Sequence, residues 1–105
     1  GPLGRASRRR RAGVYSTPAR LHAEATDAVR RLGAEREHRV MATLDERSLL
    51  DQLREALRVM FALDGLRRRA PDIERATQYI RLWRRAERRQ IAACAEWWHR
   101  ALVEV

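Results

Sequence analysis

The sequence predicts an all-α protein, a compact helical bundle of four to five helices arranged as two antiparallel helical hairpins, with no β-sheet. Apolar residues recur at spacings of three and four over most of the chain, a pattern typical of amphipathic helices. Helix-start signals such as Thr17-Pro18 and Pro71-Asp72 precede two of these stretches. No stretch alternates polar and apolar residues, and no hairpin turn joins two strand-like runs. These observations favour helices throughout.

The first two predicted helices span roughly residues 18–37 and 44–63. Thr17 with Pro18 is typical of a helix start, because a threonine oxygen accepts from the first turn and proline has no N–H to lose there. Thr43 and Glu46 have the spacing of a capping box and predict the second start. Asp64-Gly65 predicts its end, since glycine readily adopts the left-handed conformation found there. The second helix is expected to be central to the core, with its row of large apolar residues Leu50, Leu53 and Leu57 costly to truncate.

Two further helices are predicted at roughly 71–82 and 87–104. Pro71 with Asp72 and Glu74 favours a helix start, because carboxylates stabilise the positive end of the helix dipole. The charged run from residue 84 to residue 90 interrupts the apolar stripe, so two helices are expected to meet near Trp83. Trp98 is expected in the core.

The 105 residues are enough for one small domain. Residues 1–4 resemble the scar of a cleaved affinity tag and are excluded from the fold. Residues 5–17 are predicted to be a flexible basic tail, because such apolar-poor segments bury too little surface to become ordered. The bundle is expected over residues 18–105. The tail contains a run typical of a nuclear localisation element or a phosphate-binding arm, with a solvated linker as the alternative: Arg8, Arg9, Arg10 and Arg11.

The formal net charge is +9, and all 23 basic residues are arginine. Residues 21–66 hold seven arginines against nine acids, whereas residues 67–105 hold ten against five. The C-terminal half is therefore expected to present a positive surface around its tryptophans, which favours acidic partners.

The residues that usually carry catalysis form no recognisable constellation. His22, His38 and His99 are scattered and lack a nearby nucleophile, and the chain has no glycine-rich phosphate loop. Cys94 lies on an apolar helix face, where a small core side chain is the expected role. We therefore predict a non-enzymatic protein without a metal or cofactor. No run of 18 or more apolar residues is present, so no membrane span is expected.

Four segments resemble the N-terminal helical domain of the transcription elongation factor TFIIS, also called the LW domain, and its relative, the integrase-binding domain of lens epithelium-derived growth factor. Residues 73–81, IERATQYIR, resemble the "IGKxVNxLR" segment of the family, and residues 91–102 resemble its closing "AxxLVxxWKxLV" helix. Residues 80–84, IRLWR, are similar to "IRRFK" of the integrase-binding relative. Leu44-Asp45 with Leu49, Leu50 and Leu53 is similar to that relative's "LD…CIxAL" opening. The likeness covers about residues 40–102. Glu74-Arg75 replaces the family's Gly-Lys, and Ala42 stands where the relative has a functional Asp, so an Asp-mediated bond to the partner is not expected.

The resemblance implies a right-handed bundle that binds short linear motifs of disordered nuclear proteins in a groove between two inter-helix loops, here residues 38–43 and 82–88. The sequence itself places an aromatic side chain and a basic cluster there. Motifs with an aromatic or aliphatic anchor among acidic residues suit such a site. The predicted partner-binding residues are Val40, Met41, Trp83, Arg81, Arg84, Arg85, Arg88 and Arg89.

The leading interpretation is thus a monomeric interaction scaffold of a nuclear transcription-elongation or chromatin factor. The alternative is an arginine-rich module that binds nucleic acid or another polyanionic surface directly, through the tail and residues 67–89. Two alternatives stay open for Trp83: its side chain packs in the core, or it lines the predicted groove. An oligomerising coiled coil is disfavoured by Gly33, Gly65 and Pro71 and by the lack of a sustained heptad.

Overall fold

The computed structural model describes residues 17–104 and contains four α-helices over that range. They are α1 (Pro18–Arg31), α2 (Glu35–Met41), α3 (Glu46–Arg68) and α4 (Ile73–Glu104). No residue between 17 and 104 lies in a strand. The predicted all-α helical bundle is confirmed. The predicted tag scar and most of the predicted tail, including Arg8 to Arg11, lie outside the described residues.

α1 begins as the sequence indicates and ends earlier than predicted. The Thr17 side chain accepts a hydrogen bond from the Arg20 N–H at 3.2 Å, and Pro18 is the first helical residue. The helix ends at Arg31 because Gly33 has a φ of 69°, the left-handed conformation that glycine adopts without a steric penalty. The prediction of one helix over 18–37 is therefore wrong, and α2 is a separate helix.

α3 is shifted and lengthened relative to the prediction. Asp45, not Thr43, is its N-cap: the Asp45 carboxylate accepts from the Ser48 N–H at 2.7 Å, whereas the Thr43 hydroxyl donates to the Val40 carbonyl. The predicted stop at Gly65 is wrong, since α3 continues through it to Arg68. A helical glycine costs about 1 kcal/mol relative to alanine, an amount that packing of neighbouring side chains offsets.

α4 is one continuous helix of 32 residues, about 48 Å long. The Asp72 carboxylate caps its start by accepting from the Arg75 N–H at 2.8 Å. The prediction that two helices meet near Trp83 is wrong, and so is the second hairpin that it implied. Residues 84–90 contain no proline or glycine, so nothing in this segment ends the helix. Their charged side chains change which face of α4 is buried.

α4, not α3, is the central element, because the other three helices all pack against it. Ala93 and Trp97 belong to the contact with α3, whereas Ile91 and Ala95 belong to the contact with α1. A difference of two positions is about 200° around a helix axis, so α1 and α3 flank opposite sides of α4.

Both flanking helices run antiparallel to α4. Glu46 at the start of α3 lies near Trp97, and Leu63 near its end lies beside Tyr79. On the other side of α4, the rings of His22 and His99 are 5.4 Å apart, while Leu32, just beyond α1, lies beside Arg84. α1 therefore leaves residues 73–83 of α4 uncovered.

Small side chains dominate the core. In the described part of the chain, seven of the eleven buried hydrophobic residues are alanines, and Leu49 is the one large side chain with under 2% exposure. The buried row of α3 is Leu49, Ala56 and Leu63, whereas Leu50 and Leu53 are half-buried and Leu57 is exposed. Trp98 is also half-buried. Alanine at these contacts lets helix axes approach closely.

Candidate functional site

The end of α3, the start of α4 and the turn between them form a two-helix projection, residues 57–83, which we name the distal hairpin. Only α3 and α4 pack along it, because α1 stops beside Arg84. Seven large hydrophobic side chains of residues 17–103 are exposed, and five of them lie here: Leu57, Phe61, Leu66, Ile73 and Leu82. Phe61 is 86% exposed. Leu57 and Phe61 share one side of α3, and neighbouring exposed apolar side chains on a small domain are typical of an interaction site.

An open hollow of about 190 Å³ lies between the two helices of the distal hairpin. Its lining includes the half-buried side chains of Tyr79, Ile80 and Trp83, with Leu63, Asp64 and Arg67 on the α3 side. A cavity of about 150 Å³ accommodates a benzene ring, so this hollow has room for one aromatic side chain. Phe61 and Leu57 lie one and two helical turns before Asp64 and continue the same side of the hairpin.

The groove predicted from the sequence does not form. Residues 82–88 lie in the middle of α4, not in a loop, and Met41 is 3% exposed because it packs in the core against Ala92 and Ala93. Trp83 lies nine residues, about 14 Å along the helix, from Ala92. Val40 is exposed, on α2. Trp83 therefore joins the distal hairpin, and Val40 and Met41 belong to another part of the molecule.

The predicted basic residues divide into two groups. Arg89 donates a hydrogen bond to Gln52 across the α3–α4 contact and is half-buried. Arg81, Arg84, Arg85 and Arg88 recur at spacings of three and four, and Arg84 and Arg88 lie beside the end of α1. No carboxylate among the described residues lies within 4.0 Å of these four guanidinium groups.

A buried ion pair, which the sequence analysis missed, joins the α2–α3 turn to α4. Arg100 donates to Glu96 at 2.8 Å, to the Met41 carbonyl at 3.3 Å and to the Leu44 carbonyl. Glu96 is the buried charged residue of the described chain, with 6% exposure. The i, i+4 spacing of Glu96 and Arg100 was visible in the sequence, but the carbonyl partners depend on tertiary structure. This pair is a structural clamp.

His38 on α2 lies beside the same clamp, with its Nε2 3.8 Å from a Glu96 carboxylate oxygen. Burial lowers the pKa of His38 below its ordinary value of 6.5; Glu96 opposes this shift, and His22 and His99 add to it. The unfolded chain therefore takes up the proton more readily than the folded chain, so stability is lost as the pH falls below about 6.5.

We expect His38→Gln to reduce this acid sensitivity. The free energy of unfolding of the wild type should fall between about pH 7 and about pH 5, and that of the variant should fall less, because the depressed pKa no longer contributes. Urea unfolding followed by circular dichroism at several pH values measures both. An identical pH dependence in the two proteins would contradict the role given to His38.

The arrangement of possible metal ligands and the burial of Cys94 describe the remaining reactive side chains of residues 17–104. No group of three His, Cys, Asp or Glu side chains within 17–104 is arranged to hold a metal ion. Burial raises the pKa of the Cys94 thiol, so a larger share of it is protonated than at an exposed site. Among the helices of residues 17–104, none combines the length and apolar composition of a membrane span.

Comparisons with protein families, with curated proteins and with solved structures find no match to this chain. The resemblance to the LW domain, and the nuclear placement that it implies, therefore stay predictions.

Proposed function

We propose that this chain is a non-enzymatic protein-interaction module, and that its distal hairpin binds an acidic, amphipathic segment of a partner protein. The observation that carries the proposal is the concentration of exposed apolar side chains on residues 57–83. Burying these side chains yields roughly 25 cal/mol for each Å² of apolar surface removed from water. A partner segment that covers Leu57 and Phe61 would add a third element to the two-helix projection.

The hollow beside Trp83 supports an aromatic or large aliphatic anchor in the partner. Side chains that fill central pockets carry most of the binding energy in many interfaces, and aromatic side chains are enriched among them. Phe61 and Leu57 extend the apolar surface away from the hollow along α3. A helical partner with apolar residues at i, i+3, i+4 and i+7 matches a surface of this kind.

The charge around the distal hairpin supports an acidic partner. Residues 54–80, which exclude the arginines on the far side of α4, contain six arginines and four acids. Three of those acids are already engaged: Asp64 pairs with Arg67 and Arg68, Asp72 caps α4, and Glu55 pairs with Arg58. Acidic residues at the rim of the partner would increase the association rate. A second copy of this chain would bring like charges together, which disfavours self-association through this surface.

Replacing Phe61 by serine is expected to weaken binding of a fluorescent acidic amphipathic peptide by about 10- to 30-fold, as for an interface hot spot. Phe61 is so exposed that the fold should be almost unaffected. The matched control is Val103→Ser near the end of α4, where the replaced side chain is also 75% exposed. Fluorescence anisotropy measures both affinities, and the control should stay within about twofold of wild type.

Two results would overturn the proposal. Unchanged peptide affinity in Phe61→Ser would show that the exposed apolar side chains do not bind this ligand. Sedimentation equilibrium that shows a dimer, dissociated by the same substitution, would assign the surface to a second copy of the chain.

A further inference from the structure

The side of α4 that faces away from α3 carries four arginines just beyond the point where α1 ends. We propose that this arginine face, Arg81, Arg84, Arg85 and Arg88, binds the phosphate backbone of duplex nucleic acid. It is separate from the distal hairpin surface, because Trp83 points into the hollow on the α3 side.

The geometry of the arginine face suits a linear array of phosphates. The four residues recur at i, i+3, i+4 and i+7, so they share one side of the helix and span about 10 Å along its axis. Arg31 from the end of α1 joins Arg84 and Arg88 at an open hollow of about 350 Å³, in which Glu87 is the one lining acid. Guanidinium groups from two helices therefore converge on one position.

These guanidinium groups are available for a ligand. Arg31 is 3.6 Å from Asp27, an exposed pair of small energetic value, and no described carboxylate lies within 4.0 Å of the four arginines of the face. Guanidinium groups stay charged and bind phosphate oxygens bidentately. Phosphate binding would neutralise charges that now repel one another.

The chemistry of the face favours a duplex over the other polyanions. Single-stranded nucleic acid is held largely by bases stacked on aromatic side chains, and the nearby aromatics, Tyr79 and Trp83, line the hollow on the α3 side. Acidic protein segments depend on apolar anchors, and the four side chains of this face are all arginine. If the arginines contact the phosphate backbone alone, the protein should bind duplexes of any base sequence, and its affinity should fall steeply as the salt concentration rises.

The test compares two charge-matched variants of the full chain. Arg84→Gln/Arg88→Gln removes two charges from the arginine face, and Arg47→Gln/Arg54→Gln removes two exposed charges from α3 on the other side of α4. Both retain the arginines of residues 5–16, so the tail contributes equally. Affinity for a duplex of arbitrary sequence is measured by fluorescence anisotropy between roughly 50 and 200 mM salt.

The arginine-face variant should lower the magnitude of the slope of log K against log salt by about 2, since each phosphate contact contributes about 0.9. The α3 variant should keep the wild-type slope, and Phe61→Ser should bind the duplex normally. Equal slopes in the two double variants would overturn the proposal. Tighter binding of single-stranded DNA or of polyglutamate than of the duplex, lost in the arginine-face variant, would overturn it in favour of that ligand class.

Discussion

Arg100→Ala is expected to destabilise the fold by about 3 kcal/mol, the lower end of the range for breaking a buried ion pair. The substitution leaves the Glu96 carboxylate buried without its main partner, and it removes donors from the Met41 and Leu44 carbonyls. The lower end applies because the Arg100 side chain retains 27% exposure, so water can replace part of what is lost. Urea unfolding followed by circular dichroism gives the change directly.

The control for this prediction is Arg20→Ala, which removes another arginine from an i, i+4 pair with glutamate. The Arg20 and Glu24 side chains are both mostly exposed, and such surface pairs contribute about 0.5 kcal/mol or less. If Arg100→Ala cost no more than Arg20→Ala, the α2–α3 turn would not depend on the clamp.

Leu49→Ala is expected to cost about 3 kcal/mol, within the range for deleting a buried leucine side chain. Leu49 is 1% exposed and packs in a cluster with Met41, Ala92 and Ala93. Ala92 and Ala93 have no flexible side chain with which to fill the cavity, whereas Met41 can fill part of it, so a cost in the lower half of the range of about 2–5 kcal/mol is expected. The free energy of unfolding in urea measures the effect.

Leu57→Ala on the same helix provides the matched comparison. Leu57 is exposed on the distal hairpin, so the same chemical change should cost less than about 1 kcal/mol there. A cost at Leu57 equal to that at Leu49 would contradict the assignment of the buried row to Leu49, Ala56 and Leu63. It would also remove the reason for treating Leu57 as available to a partner.

Local sequence signals predicted the helices well where the capping residues and apolar spacing of a segment determine its conformation. Thr17 with Pro18 begins α1, and the apolar spacing predicts helices over nearly all of the described residues that are helical in the structure. Gly33 and Gly65 show the limit of such signals. Both glycines can adopt the left-handed conformation with equal ease. Gly33 adopts it just after the last residue of α1, whereas Gly65 stays helical in α3, where nearby Leu63 packs beside α4.

The candidate site depended on information that the sequence pattern lacks. The charged run at residues 84–90 resembled a joint, but charge on one face does not interrupt a helix whose other faces are covered. Because α4 is continuous, Trp83 and Met41 are held apart, and the predicted groove is lost. Trp83 and the arginines of α4 stay predictions as partner-binding residues, whereas the 86% exposure of Phe61 became visible with the structure.

The most direct test of the central claim is an NMR titration of the isotopically labelled chain with the acidic amphipathic peptide, following the indole N–H resonances of the three tryptophans. We predict that the Trp83 indole and the amides of residues 57–83 shift in a saturable manner, while the Trp97 and Trp98 indoles stay unchanged. Shifts confined to Trp97 and Trp98, or no shifts at all, would contradict the assignment of the distal hairpin as the partner-binding surface.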